Sequence, residues 1–370
     1  MNILHLLDTL RRGGKERQFV ELIRGLDKSK YQIHTIVLEQ RKDGYDDEVR
    51  ELSYNFEYKF RRFRWDLFLI YDLVKYCKKH NIEVIQVWDG MCAFYAYFVS
   101  LFASIKFINY SIQEADPRLS YRHLIQRFIL IISNNVIANQ YAGLKVYGVE
   151  NRGKVIYNGL DFSRFIKKKA EDGGQKIEDR SQKSEKRVEE KFVVGIVANL
   201  TDYKDYYTFF DAIKILQEKF KAFEVHIIGG GKLTQTYKDY AVGIGVNQSI
   251  LKYFGRVTNI EESIPNFYVG VLCSYKNKGE GLSNSVLEYM ACGVPPIITD
   301  IGAAREIVED GVTGLLFEAG NAEDLAEKIA LLMEDGKLRI KIGERAKKVV
   351  FEKFSYERYI NQFEEYYKNL

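Results

Sequence analysis

Residues 269–300 read VGVLCSYKNKGEGLSNSVLEYMACGVPPIITD, and the order of signals in this stretch decides the fold. An apolar run over 269–273 ends in a polar loop with Glu280 and Gly281. Ser283 or Asn284 then caps a helix bearing Glu288, which stops at Ala291-Cys292-Gly293 before a second apolar run begins at Pro296. Two wholly apolar strands joined through a helix form the unit of a parallel sheet covered on both faces.

The same pattern extends outward along the chain. In the carboxyl half, residues 192–197, 224–228, 251–254, 270–273 and 296–299 are short apolar strands separated by helical patterns. In the amino half the strands fall at 2–7, 33–38, 84–87, 107–110, 135–138 and 154–157, and a Gly13-Gly14 turn opens a helix over 16–24. Residues 166–191 (IKKKAEDGGQKIEDRSQKSEKRVEEK) are mostly charged, have no apolar period and predict a linker or mobile loop. The expectation is an α/β protein with two doubly wound domains, at 1–165 and 192–354, followed by a terminal segment at 355–370. In such sheets ligands bind beyond the carboxyl ends of the strands, so the loops there are the places to look for chemistry.

The 370 residues are 46% hydrophobic and 29% charged, as expected of a globular chain with room for more than one core. A formal net charge of +4 is far too small for a general nucleic-acid binder, so no nucleic-acid partner is expected. The charge is uneven: residues 1–165 carry 25 basic against 19 acidic side chains, leaving 30 against 32 for the rest. Aromatic residues reach 14%, with 26 Tyr and 23 Phe. Cys77, Cys92, Cys273 and Cys292 show no paired spacing, which argues for reduced thiols and against a zinc knuckle or disulfide framework. The start, MNILHLLDTL, lacks the features of a signal peptide, so a cytoplasmic location is expected. Residues 90–105, the longest apolar stretch, are too short to span a bilayer and predict a buried helix.

A helix start at 283–284, with its amides and the dipole behind them, suits a phosphate or pyrophosphate. Glu288, about one turn into the helix, is placed to accept hydrogen bonds from vicinal ribose hydroxyls, and Glu280 in the preceding loop would reach another group of the same ligand. Two glutamates separated by seven residues are commonplace on surface helices; the glycine-rich turn and the strand end give this pair its meaning. Lys204 precedes the helix of 207–220, where an ammonium would neutralise a diphosphate, although a lysine near a helix start is usually solvated. Gly229-Gly230-Gly231 closes another strand and permits close approach of a ligand, or is simply a turn.

Together these residues resemble the retaining glycosyltransferases of family 4, which have the GT-B fold of two facing Rossmann-like domains. The signature is Glu280-Gly281-Leu282-Ser283-Asn284-Ser285-Val286-Leu287-Glu288 with Ala291-Cys292-Gly293-Val294-Pro295 after it, and the resemblance covers nearly the whole chain. Supporting matches are Gly13-Gly14-Lys15-Glu16-Arg17, Lys204, Gly229 to Gly231, Phe254-Gly255-Arg256-Val257, and Glu306-Ile307-Val308 with Gly311 and Gly314.

The resemblance implies that Glu288 binds the ribose of a nucleotide sugar, expected to be a UDP-sugar, and that Glu280 and the amides of Gly281 and Leu282 hold the transferred sugar. Gly13, Gly229, Gly230, Ser283 and Asn284 complete the implied donor site. Lys204 and the Gly14 amide would stabilise the departing diphosphate, and the backbone around Arg256 and Val257 would contact the base. The reaction implied is hexosyl transfer with retention and without a metal or cofactor, to a glycan or lipid-linked acceptor in surface polysaccharide or glycolipid synthesis. The last helix is expected to cross back onto the first domain, and the domains to close by hinging at 160–191 and at the chain end.

The chain departs from the family pattern in two places. Members commonly place an arginine five residues before the lysine, where Asn199 stands here. Many also place a histidine beyond the fourth strand, where this chain reads Asn109-Tyr110-Ser111-Ile112-Gln113-Glu114. Gln113 or Glu114 would line the sugar pocket instead. His5, His34, His80, His123 and His226 fall in strands or helices and read as structural. These departures keep open a non-catalytic GT-B subunit that binds a nucleotide sugar or supports a partner enzyme. Residues 58–65 (YKFRRFRW) interleave cations with rings and are followed by Lys75, Lys78 and Lys79, a pattern suited to peripheral contact with the inner face of an anionic membrane or to a solvated loop with its rings turned inward.

Overall fold

The computed structural model describes residues 1–40, 44–63, 65–115, 121–163, 165 and 191–370. Apart from Lys191, the charged segment 166–191 lies outside the described residues, as do Arg64 and the side chain of His123. The chain divides into two compact units.

The first unit comprises Met1–Gly159, Glu280–Leu282 and Tyr356–Leu370. Among the described residues its sheet has seven strands: β1 (Asn2–Leu7), β2 (Gln32–Val37), β3 (Asn55–Tyr58), β4 (Val84–Val87), β5 (Lys106–Ile112), β6 (Asn135–Ala138) and β7 (Gly153–Val155). All pairings are parallel, in the order β3-β2-β1-β4-β5-β6-β7. The central strands are buried almost throughout, so their sequences are mostly apolar instead of alternating, with His5 and Gln86 as buried polar exceptions. β3 was hidden from the sequence reading because all four of its residues are only half-buried.

Helix Tyr356–Lys368 belongs to this unit and buries Tyr359, Phe363 and Tyr367 among residues of β1, β4 and helix Gly14–Gly25. The hydroxyls of Tyr356, Tyr359 and Tyr367 donate to Glu21 O, Gln18 O and Gln86 Oε1 at 3.2, 3.1 and 2.7 Å. Part of the tyrosine excess thus serves as buried rings whose polar ends are satisfied.

The second unit comprises Leu160–Gly279 and Ser283–Ser355, so the division falls at 159/160 and not at the expected 165. Its sheet holds β8 (Phe192–Val197), β9 (Phe223–Ile228), β10 (Leu251–Gly255), β11 (Val269–Leu272), β12 (Pro296–Thr299) and β13 (Leu315–Phe317), all parallel, in the order β10-β9-β8-β11-β12-β13. Strand order reverses between β1 and β4 in the first sheet and between β8 and β11 in the second, which is where α/β sheets open a crevice for ligands.

One expectation needs correcting. Helix Gly90–Ala103 is not wholly buried: Leu101 and Phe102 are exposed, because only its inner face packs on the sheet. No helix among the described residues is long and apolar enough to cross a membrane.

Candidate functional site

The reversal point of the second sheet gathers most of the residues singled out in the carboxyl half. β8 ends at Val197 and leads into the loop 198–205; β11 ends at Leu272 and leads into 273–283. The two loops are tied together by their backbones, with Asp205 N donating to Cys273 O at 3.1 Å and Lys204 bridging Ser274. Lys204 Nζ lies 3.5 Å from Ser274 Oγ, and its carbonyl accepts from Tyr237 OH at 3.1 Å. The lysine is therefore half-buried with its backbone fixed on both sides, unlike the usual solvated surface lysine. Asp205 caps the next helix, Tyr206–Lys219, accepting from Thr208 N at 3.1 Å and Thr208 Oγ1 at 2.7 Å.

Helix Asn284–Ala291 follows, with Ser283 at its N-cap. Ser283 caps by position only: its hydroxyl sits 3.1 Å from Ser285 Oγ and makes no side-chain bond to a helix amide. Glu288 is buried on this helix, where a carboxylate is costly unless it has partners. The neighbouring Tyr289 fixes the helix against the reversal point. Its hydroxyl accepts from Val197 N at 2.7 Å, joining the ends of β8 and β11, and donates to Val271 O at 3.3 Å. A Cβ on Gly270 would come within 2.4 Å of the Tyr289 ring, so the strand glycine makes room for it.

The glycine run after β9 has a similar structural reason. Gly229, at φ +141°, and Gly231 lie against the carbonyls of Ala198 and Leu200, where a Cβ would approach to 2.0 and 2.2 Å. Gly230 faces the stem of Arg256 at ordinary contact distance. Arg256 is exposed and Val257 half-buried just past β10, and Gly229 N donates to Gly255 O at 2.7 Å. Asn199, Lys204, Gly229, Gly230, Arg256, Val257 and Glu288 thus all stand at the carboxyl edge of one sheet.

Glu280, Gly281 and Leu282 group instead with the first unit. A Cβ on Gly281 would lie 2.4 Å from Gln113 O and 3.4 Å from Glu114 Cα, and Leu282 O accepts from Asn158 Nδ2 at 3.5 Å. Gln113 and Glu114 are half-buried there; Gln113 Nε2 donates to Tyr110 O at 2.9 Å and its Oε1 accepts from Asn139 at 3.3 Å. Gly13 is the N-cap of helix Gly14–Gly25 and lies against the buried Glu16.

The reversal point of the first sheet carries a charged cluster that the sequence reading missed. Asp8 follows β1, and Asp89 lies two residues past β4. Asp8 N donates to Asp89 Oδ2 at 2.9 Å, Arg61 Nη2 pairs with Asp8 at 2.5 Å, and Lys15 Nζ lies 3.7 Å from both Asp89 and Glu16. Burial and then Asp89 raise the Asp8 carboxyl above its ordinary range, against the opposing pull of Arg61 and Lys15. Burial works against the Lys15 ammonium, but Asp89 and Glu16 outweigh it and raise its pKa. The available signal was two aspartates placed just past apolar strands in the crevice position. Arg61, read as a surface cation, is an ion-pair partner within the unit.

The described histidines take structural positions. His5 accepts from Trp88 Nε1 at 3.2 Å, and burial lowers its pKa to about 3; His34 lies 3.0 Å from Tyr76 OH and is lowered to about 4 by burial and then by His80. His226 sits 3.3 Å from Glu224. The four cysteines are free thiols, and among the described residues no group of three His, Cys, Asp or Glu side chains is placed to hold a metal.

Residues 12–164 match the model of Glycosyltransferase Family 4, and residues 177–349 match that of Glycosyl transferases group 1. A relative at 25% identity over 94% of this chain and 95% of its own length is the N,N'-diacetylbacillosaminyl-diphospho-undecaprenol alpha-1,3-N-acetylgalactosaminyltransferase of Campylobacter jejuni. The capsular polysaccharide biosynthesis glycosyltransferase CapM of Staphylococcus aureus is 28% identical over 54% of this chain and 49% of its own. HepE of Anabaena, solved in complex with UDP and glucose, superposes with a TM-score of 0.81 at 19% identity, each chain covered completely. With one model on each half and the GT-B fold over the full length, the chain belongs to the family 4 glycosyltransferases.

Proposed function

We propose that the protein is a retaining, metal-independent hexosyltransferase that moves a sugar from a UDP-sugar to a glycan or lipid-linked acceptor in surface polysaccharide or glycolipid synthesis, at the cytoplasmic face of an anionic membrane. The observation that carries the reading is the pairing of Lys204 with Ser274 at the reversal point of the second sheet, with Glu288 buried on the helix that follows. The names of the relatives support the substrate classes: one acts on a diphospho-undecaprenol acceptor, and HepE holds UDP with glucose.

In this reading the residues take the following roles. Glu288 accepts hydrogen bonds from the ribose hydroxyls, Arg256 and Val257 lie along the base, and Gly229, Gly230, Ser283 and Asn284 offer backbone to the nucleotide. Lys204 neutralises charge growing on the diphosphate as the C1–O bond to it breaks. Asn199 leaves that charge to Lys204 and the Gly14 amide at the Gly13-Gly14 turn. Glu280, Gly281, Leu282, Gln113 and Glu114 serve the transferred sugar. The leaving phosphate oxygen takes the proton of the acceptor hydroxyl while the new C1–O bond forms on the same face. The protein's share is then positioning and electrostatics, with no need for a metal or cofactor.

The test is a panel of nucleotide sugars with an acceptor extract, read as release of nucleoside diphosphate in the presence of chelator. Turnover of a UDP-hexose that falls with Lys204→Ala and Glu288→Gln supports the proposal, and loss of turnover on chelation overturns its metal-free part. Tight nucleotide binding without turnover on any acceptor would make the chain a non-catalytic subunit.

A further inference from the structure

One face of the first sheet is covered by helices Leu67–Lys79, Gly90–Ala103 and Tyr121–Ile132, which pack side by side and share a core with Leu4, Leu6 and Ile36. Each also carries a second apolar stripe at helical spacing: Leu67, Tyr71 and Val74 on the first; Phe94, Phe98 and Phe102 on the second; Leu124, Phe128 and Ile131 on the third, with Val74, Phe94 and Phe98 half-buried and the other six exposed. These are not scattered surface residues. Tyr71 is 68% exposed, Phe102 63% and Phe128 61%, and the first two stripes line an open apolar groove of about 450 Å³. An apolar groove with a further exposed apolar stripe on the helix packed beside it marks a docking face.

Charge selects the partner. The sequences of the three helices carry Lys75, Lys78, Lys79, Arg122 and Arg127 against one acidic residue, Asp72. Lys75 and Lys78 continue the Leu67–Tyr71–Val74 stripe by one more turn and are exposed, so their stems extend the apolar surface while their ammonium groups reach outward. At the head of the same helix the Arg62 guanidinium lies 5.2 Å over the exposed Phe68 ring. Rings and aliphatic stems at the centre with cations at the margin complement the headgroup layer of an anionic leaflet.

We infer that this three-helix face is a monotopic docking surface for an anionic lipid leaflet, the groove between its first two helices accepting hydrocarbon from the bilayer. The inference builds on the proposed membrane contact and relocates its apolar part from residues 58–65 to the helices. It makes the first unit the membrane-bound half.

Vesicle sedimentation of the full chain tests it. The protein should sediment with phosphatidylcholine vesicles containing phosphatidylglycerol and much less with phosphatidylcholine alone. Tyr71→Ser/Phe102→Ser/Phe128→Ser should lower partitioning about tenfold or more at every salt concentration. Lys75→Ser/Lys78→Ser/Arg127→Ser should remove the preference for anionic vesicles. If the triple aromatic variant melts early, single Phe102→Ser and Phe128→Ser should give the same ordering in smaller steps.

Three results would overturn the inference: no sedimentation of the wild type with either vesicle, aromatic variants that bind as well as wild type, or a lipid-free dimer that the aromatic changes dissolve, which would assign the face to a second copy. Release of UDP from a soluble UDP-sugar, measured on the same variants, should be unchanged. Its absence in the wild type would count against the transferase reading and leave the sedimentation result standing.

Discussion

The two sheets share one order over their first six strands and reverse at the same place, yet the two reversal points hold different chemistry. In the second sheet a half-buried lysine meets a serine, and a tyrosine joins the ends of the two central strands. In the first, Asp8 and Asp89 are balanced by Arg61 and Lys15. The first unit also takes in the last helix of the chain and three residues from the 280–282 loop. Topology fixes where a crevice opens, and a few loop side chains decide what it can bind.

The largest expected effect separates the units by their dependence on the chain end. Deleting residues 356–370 removes the fully buried Phe363 and the nearly buried Tyr359 and Tyr367 from the core of the first unit and uncovers β1 and β4. Loss of three such rings, at about 3–5 kcal/mol for each large aromatic, is comparable to the whole typical margin of domain stability. Calorimetry should show the transition of the first unit lost and that of the second retained; an unchanged profile would refute the assignment of this helix.

Next is the contrast in chemistry. Lys204→Ala should lower kcat for nucleoside diphosphate release about 100- to 1000-fold, the usual range for removing one preorganised group that stabilises transition-state charge. The melting temperature should move little, because the backbone bonds that hold the loop at 204 remain in the alanine variant. A variant that keeps wild-type kcat would remove Lys204 from the reaction.

Much of this was legible in the sequence, and the limits are physical. Parallel strands buried on both faces leave continuous apolar runs, so β1, β4, β8 and β11 stood out, whereas β3, half-exposed along its length, did not. Glu288 and Lys204 stand out in the sequence because a motif carries them. Asp8, Asp89 and Tyr289 were not, since their roles depend on strands 80 or more residues apart, or 18 and 92 residues from Tyr289, meeting in space. The glycines after β9 allow either a ligand or a turn, and Gly229 and Gly231 lie against the backbone of their own unit, a packing that no sequence pattern reveals. The outward stripes of the three-helix face were obscured because an apolar helix has the same composition whether its second face is buried or bare.

Tyr289→Phe tests the keystone of the second reversal point. It keeps the ring against Gly270 but deprives Val197 N of its acceptor and Val271 O of a donor, a loss of about 1–3 kcal/mol. Wild-type stability would mean that the hydroxyl does not join the strands.

Arg61→Ala is the counterpart in the first reversal point, with a smaller effect of about 1 kcal/mol after allowing for screening of a partly exposed pair. Its pH dependence is more informative. Asp8 titrates above its unfolded value, so between the two pKa values the folded chain binds more protons and stability falls as pH rises through that window. Arg61 opposes this, and removing it extends the window upward. The deficit of the variant should be largest at neutral pH and shrink below the unfolded carboxylate pKa of about 4, where Asp8 is protonated in both states. Melting curves across pH that run parallel for the two proteins would rule out the pair.

The smallest effect is expected at Ser283, and it distinguishes two caps within the second unit. Asp205 accepts two hydrogen bonds from Thr208, so Asp205→Ala should cost about 1–2 kcal/mol. Ser283 occupies the same position on helix Asn284–Ala291 without bonding a helix amide, so Ser283→Ala should cost only a few tenths of a kcal/mol in the free protein. If this helix start receives the donor, the same substitution should raise the KM for the UDP-sugar while leaving the melting temperature in place. Equal destabilisation by the two alanines would show that Ser283 is an ordinary cap, and the helix start would then be closed to a ligand by its own side chain.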